Sequence, residues 1–158
     1  MPPQDPIDLK HAATPGLLRR LAAIGYDGLL LIALYVLAAA LVVLPAGMLF
    51  GVEEPAGDAL VRLLLQLLLT LISLGFFVGF WLHGGQTLGM RAWRIQVVRA
   101  DGHALHAGNA LLRALAALLS LAPLGLGFLW MLVDRERLTW HDRISATRLV
   151  LLHKSERN

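Results

Sequence analysis

The sequence predicts an all-α membrane protein with two transmembrane helices, a third hydrophobic segment broken by proline and glycine, and a small cytoplasmic two-stranded β element. Three observations predict this class. Of the 158 residues, 57% are hydrophobic and 16% are charged. The mean hydropathy is +0.65. The apolar residues fall in three runs long enough to cross a bilayer. Soluble domains carry about 25% charged residues, so this chain is predicted to use lipid as its solvent.

The same composition excludes several classes of function. The chain has no cysteine, which excludes disulfides, thiolate metal sites and a cysteine nucleophile. Its net charge is +3, but Lys and Arg flank the apolar runs instead of forming one basic face, so no nucleic-acid partner is predicted. His103 and His106 lack an assured third ligand, so neither a metal nor a cofactor is predicted. No nucleophile and base occur at a usable spacing, and an enzyme is not expected.

The first apolar segment is Leu21–Leu44, in which Asp27 is the only acidic or basic residue. Cleavable signal peptides have apolar regions of about 7–15 residues near the N-terminus. This run is longer and begins later, so it predicts a retained transmembrane helix. The second segment, Ala59–Leu82, carries Arg62 near its start and is also long enough to span.

The third segment, Ala110–Val133, contains Pro123, Gly125 and Gly127. A proline removes a backbone donor and clashes with the preceding turn, which predicts a kink or break near residue 123. Two paths fit this pattern, a kinked span and a re-entrant hairpin.

The charge distribution favours re-entry. The connection Pro45–Asp58 has three acidic residues and no Lys or Arg, so by the positive-inside rule it is external and the N-terminus is cytoplasmic. The loop His83–Asn109 carries three arginines and is predicted to be inside. Six basic residues follow Val133 and also favour the cytoplasm, whereas a single third crossing would place them outside.

Two strand-like stretches lead to the same preference. Trp93–Arg99 and Ala146–Leu152 are rich in β-branched residues, and the Asp101-Gly102 turn signal follows the first. Two isolated strands are most stable as a pair, which requires both on one side of the membrane. The membrane domain is predicted to cover residues 15–153, between a disordered cytoplasmic tail at 1–14 and a short tail at 154–158.

Three motifs, RRLAAIGYDGLLL, GQTLGMRAWRIQVV and WHDRISATRLV, together resemble the RDD family of bacterial membrane proteins, named for one arginine and two aspartates. The resemblance covers about residues 17–152. It implies that Arg20 is the family arginine and that Asp27 and Asp142 are the two aspartates. It also implies a location in the bacterial inner membrane and, for some members, transport that includes cation and proton exchange.

The charged residues of these motifs have two interpretations each. Asp27 lies in the second turn of the first segment, where a carboxylate requires a partner or water. It is either a proton or cation site or part of a structural ion pair. Asp142 either accepts the Arg20 guanidinium bidentately or holds its own backbone as a turn or cap residue. The prediction is a buried cluster of Arg20, Asp27 and Asp142.

Other polar residues are candidates with structural alternatives. Arg113 and Arg143 are candidate members of the cluster, although Arg113, like Arg62, lies where a side chain can reach the headgroups. His141 either titrates near neutral pH or is a hydrogen-bonded interfacial residue. Gln66, Thr70 and Ser73 share one helix face. They either line a polar path or bond a neighbouring helix.

The glycine-rich loop after the second segment lacks the GK[ST] ending of a phosphate loop. Gly85, Thr87 and Gly89 are therefore predicted to shape the exit of the chain from the membrane.

Two functions remain in view. The first is transport of a small ion or solute through a homo-oligomer in the lipid bilayer, since two spans are few for a pore. The alternative is a non-transporting adaptor that binds another membrane protein.

Overall fold

The computed structural model describes residues 7–9, 11–49, 51 and 57–152. Their fold is mostly helical with one strand pair, as predicted. The elements in chain order are α1 (Leu17–Met48), α2 (Ala59–Leu82), α3 (Leu88–Ala92), β1 (Ile95–Arg99), α4 (Ala107–Leu121), α5 (Leu126–Leu129), a 3₁₀ turn (Trp130–Leu132), α6 (Trp140–Ile144) and β2 (Thr147–Leu151).

Within the described part of the chain, α1 and α2 are the two single helices long and apolar enough to cross a membrane. The α2 bounds match the predicted segment, and its first turn is capped by the Asp58 carboxylate, which accepts from the N–H groups of Leu60 and Val61. Helix α1 is longer than predicted at both ends. It continues past Pro45, since a proline this close to the C-terminus removes little of the helical hydrogen bonding.

The length of α1 exceeds the hydrocarbon core. Its 32 residues extend about 48 Å, against a core about 30 Å thick. The first turns of α1 can therefore lie outside the hydrocarbon, where α3 and α6 approach them.

The third apolar segment forms two helical arms. Helix α4 and the arm Leu126–Leu132 are bent by 108° across the break between them, and Leu124 and Gly125 in that break have positive φ angles of 54° and 79°. The arms pack closely, because a Cβ on Gly127 would lie 2.6 Å from the Ser120 Cα.

The strand pair packs against α1 and α2, in a core that includes Ala23 and Trp81. Strands β1 and β2 are antiparallel, with Val97 opposite Leu149. Each strand starts later than predicted, because Arg94 and Ala146 take left-handed φ angles of 56° and 50° just before it. The main core packs here, where Ile95 of β1 is fully buried.

The N-terminal segment contacts this strand pair. The N–H of Ile7 donates to the Gly102 carbonyl at 3.0 Å, and the N–H of Leu151 donates to the Ala13 carbonyl at 2.8 Å. The predicted tail at 1–14 lies partly outside the described residues, and the predicted tail at 154–158 lies wholly outside them.

Candidate functional site

A buried ion network joins α1, α4 and α6. The Asp142 side chain is fully buried. Its Oδ2 accepts from Arg20 Nη1 at 2.9 Å, and its Oδ1 accepts from Arg113 Nη1 at 2.6 Å. One N–H from each arginine reaches the carboxylate, so the contact with Arg20 is single instead of bidentate. The network holds two positive charges and one negative charge.

Asp142 occupies this position because of the way α6 begins. Thr139 is the N-cap, and its hydroxyl accepts from the Asp142 N–H at 3.3 Å. The Asp142 carboxylate in turn accepts from the Thr139 N–H at 3.0 Å, which completes a capping box. Asp142 therefore both holds its own backbone through the capping box and pairs with Arg20, although through one hydrogen bond and not two.

Each of the three nitrogens of the Arg20 guanidinium donates a hydrogen bond within the chain itself. Besides Asp142, it donates from Nε to the Pro15 carbonyl at 3.2 Å and from Nη2 to the Arg137 carbonyl at 3.0 Å. These bonds fix the start of α1 to the segment that precedes α6.

Arg113 turns inward. It is 3% exposed, so the interpretation that it reaches the lipid headgroups is wrong for this residue. Its Nη1 also donates to Thr147 Oγ1 at 2.6 Å, and its guanidinium carbon lies 5.3 Å from the centroid of the Trp81 ring, within the range of a cation–π contact. The sequence did not indicate this ring contact, because α2 and α4 are far apart along the chain.

The network sets the charge states of its two titrating members in α6. Burial alone raises the pKa of Asp142, but the Arg113 and Arg20 guanidiniums outweigh it and hold that pKa well below its usual value. Burial, with Arg113, lowers the pKa of His141 to about 3. His141 is therefore neutral at physiological pH, and its ring contacts Thr139 Oγ1 at 2.9 Å and Ser120 Oγ at 3.3 Å.

Asp27 forms a second site, separate from the ion network. Its side chain is 3% exposed. Its Oδ2 accepts from Thr87 Oγ1 at 2.5 Å, and its Oδ1 accepts from the Gly89 N–H at 2.8 Å. Throughout the described ranges, no arginine, lysine or histidine pairs with it. Asp27 lies two turns beyond Arg20 on α1 and meets α3, whereas Arg20 meets α6, so the three family residues do not form one cluster.

The glycine-rich loop brings α3 onto α1. Gly85 has a φ of 71°, and a Cβ there would lie 2.6 Å from the Val97 carbonyl oxygen, so strand β1 packs directly against its backbone. Thr87 is fully buried and caps α3 by accepting from the Met90 N–H at 3.2 Å. At Gly89 a Cβ would lie 2.2 Å from the Ala23 carbonyl oxygen, so only glycine permits this approach.

Other predicted candidates lie outside both sites. Arg143 is 48% exposed and pairs with Asp134 at 2.5 Å and Glu136 at 3.5 Å. Arg62 is exposed and donates to the Gly57 carbonyl at 3.0 Å. No group of three metal-ligating side chains occurs among the residues that were placed.

The comparisons with known proteins give one match. A sequence model described as the RDD family matches residues 14–146, most of the chain. No curated protein and no solved structure matches.

Proposed function

The chain belongs to the RDD family, and on that premise we propose that it is a membrane transport component that binds a proton or a small monovalent cation at Asp27. One observation carries the proposal. Asp27 is a buried carboxylate on an apolar helix, and its described partners are the neutral donors of Thr87 and Gly89. Asp142, by contrast, has two arginines.

A buried carboxylate without a counter-charge is costly, and binding of a proton or a cation removes that cost. The residue also lies where an ion could arrive from one side. Asp27 is the eleventh residue of α1, about 15 Å from its start, and α1 is about 18 Å longer than the hydrocarbon core. We take this excess to lie at the N-terminal end of α1, beside the strand pair, which puts Asp27 near the hydrocarbon boundary on that side.

Ion binding at Asp27 would act on α3. The carboxylate accepts two hydrogen bonds from the first turn of this helix, and a protonated Asp27 has one oxygen that donates instead. Because α3 leads directly into β1, a change in these bonds is transmitted to the strand pair. The Arg20–Asp142–Arg113 network acts as the fixed frame against which α3 moves.

We place the protein in the bacterial inner membrane with its N-terminus and strand pair in the cytoplasm, and we assign residues 107–132 as a re-entrant hairpin. The basic residues beside the strand pair support this orientation. The pairing of Arg99 with Thr147 supports re-entry, because the chain before α4 and the chain after α6 then lie on one side.

The test is ion flux into liposomes that contain the purified protein, with Na⁺ or K⁺ gradients and an internal pH dye. Wild type is expected to exchange the cation for protons, and Asp27→Asn is expected to abolish the flux while the protein remains folded, since the amide oxygen can accept from the Gly89 N–H and the amide N–H can donate to Thr87 Oγ1. Arg143→Gln is the matched control, because Arg143 is exposed and lies outside both sites. A wild-type protein that moves neither ion under any gradient overturns the proposal.

The second candidate function is a non-transporting adaptor. It is favoured by the hydrogen bonds that all three Arg20 guanidinium nitrogens donate within the chain, which are typical of a structural residue. Affinity purification distinguishes the two functions. A stoichiometric second membrane protein that is lost with Arg20→Ala, together with no flux, supports the adaptor.

A further inference from the structure

The polar side chains in the middle of α2 differ in what they contact. Ser73 Oγ pairs with the Tyr35 hydroxyl of α1. Thr70 Oγ1 donates to the main-chain carbonyl of Gln66 at 2.8 Å. The side chain of Gln66 is exposed and has no hydrogen-bond partner in the part of the fold that is described. Of the three residues, Gln66 is therefore the one whose side-chain polar groups have no described hydrogen-bond partner.

The position of Gln66 in the helix makes an unpaired amide costly. It is the eighth of the 24 residues of α2, about 11 Å from the helix start, and therefore within the hydrocarbon. Its amide has two N–H donors and one carbonyl acceptor, and lipid chains can satisfy neither. Leu63 and Leu67 on this open side of α2 are 52% and 53% exposed, and the neighbouring Thr70 hydroxyl is satisfied within its own helix, so the amide is left without a described partner among exposed leucines.

We propose that this face of α2 packs against α2 of a second copy of the chain, with the two Gln66 amides hydrogen-bonded to each other across a twofold axis. An amide is self-complementary, since each copy donates an N–H to the carbonyl oxygen of the other. A twofold interface brings identical residues together, so one exposed glutamine per chain is sufficient. The inference names an interface for the homo-oligomer predicted from the sequence, and it does not require ion flux.

The absence of cysteine from the chain allows the interface to be mapped with single cysteines. Leu63 lies three residues from Gln66 and so on the same side of α2, whereas Leu64 is 50% exposed and points about 160° away. Oxidation in native membranes is expected to cross-link two copies through Leu63→Cys and not through Leu64→Cys. Cross-linking of Leu63→Cys to a different protein, or of Leu64→Cys to a second copy, overturns the proposal.

The strength of the contact is measured by energy transfer between labelled copies at varied protein-to-lipid ratios. Two interhelical hydrogen bonds at about 0.6 kcal/mol each amount to about 1.2 kcal/mol, so Gln66→Leu is expected to raise the dimer dissociation constant about sevenfold. Thr70→Val is the matched control and should leave it unchanged, because that hydroxyl is satisfied within its own helix. An unchanged constant for Gln66→Leu refutes the interface.

Flux measured on the same preparations separates this interface from the proposed function. Association that depends on Gln66, in a protein without flux, refutes transport alone. Flux with no dependence of association on Gln66 refutes the interface alone.

Discussion

Replacement of Gly89 by alanine tests how closely α3 must approach α1. The new Cβ would lie 2.2 Å from the Ala23 carbonyl oxygen and 2.9 Å from Asp27 Oδ1. The first of these atoms belongs to the helix backbone and cannot rotate away, so α3 must shift outward. That shift breaks the bond from the Gly89 N–H to Asp27 and weakens the bond from Thr87.

The expected magnitude follows from these two bonds. Hydrogen bonds to a charged group contribute about 1.5–3 kcal/mol each, so the loss of one bond and part of the other is expected to lower the free energy of unfolding by about 2–5 kcal/mol. Unfolding in detergent, followed by circular dichroism, measures the loss.

The matched control for this substitution is Gly25→Ala. Gly25 lies on α1 two residues before Asp27, and a Cβ there meets no described atom within 4 Å. Alanine also favours a helix over glycine by about 1 kcal/mol, so this variant is expected to be as stable as wild type or slightly more so. If Gly89→Ala unfolds at the same denaturant concentration as Gly25→Ala, the close contact between α3 and α1 is refuted.

Three further predictions concern the ion network and the topology. Arg113→Met should destabilise the protein by about 1.5–3 kcal/mol in detergent unfolding, because it removes one of the two charged hydrogen bonds to the fully buried Asp142 carboxylate, whereas Arg143→Met at the surface should change little; equal effects would contradict the network. Both Asp142 and His141 have folded pKa values below their ordinary ones, so their contributions to stability are complete above the unfolded pKa values and are lost on acidification. His141 therefore lowers stability by up to about 1.4 kcal/mol per pH unit between pH 6.5 and about 3, and a titration of His141→Gln should show a shallower slope over that range than wild type; an identical slope would be inconsistent with a buried neutral His141. An impermeant maleimide should label Gly57→Cys and Ala100→Cys from opposite sides of the membrane. It should label Leu124→Cys from neither side, because Leu124 lies at the bend of the proposed hairpin, where its 97% exposed side chain would face lipid. Labelling of Leu124→Cys from the side of Gly57 would indicate a crossing.

Features with a strong local signal could be predicted from the sequence. Helix α2 has a long apolar run that follows the cap residue Asp58, and its bounds were predicted correctly. The strand pair follows from two β-branched stretches. The contact between Arg20 and Asp142 was one of two interpretations of the sequence, because a carboxylate and a guanidinium can pair there, although the bond is single and not bidentate.

The surroundings of Asp27 could not be predicted in the same way. They depend on α3, a helix of five residues that is too short to produce an apolar period. Arg113 was ambiguous for a different reason. An arginine near the end of an apolar run can turn outward to the headgroups or inward to a carboxylate, and only the packing of α4 against α6 decides between them.

A repeat that the sequence analysis missed explains how α1 divides its contacts. Thr87 and Thr139 each cap a five-residue helix that has arginine at its fourth position and is followed, after a left-handed residue, by a strand. In the second unit, Asp142 follows the cap and returns a carboxylate to the backbone of Thr139. In the first unit the corresponding residue is Met90, which cannot do so.

The two units therefore need side chains of opposite charge from α1. The first lacks a carboxylate at its helix start, and Asp27 supplies one. The second already contains a buried carboxylate that needs positive charge, and Arg20 supplies it. Arg20 and Asp27 stand seven residues apart because each serves a different unit of the repeat. Of the two aspartates, only Asp27 then remains without a described positive partner, so an ion that bound there, as proposed, would act on one unit while the other stayed fixed.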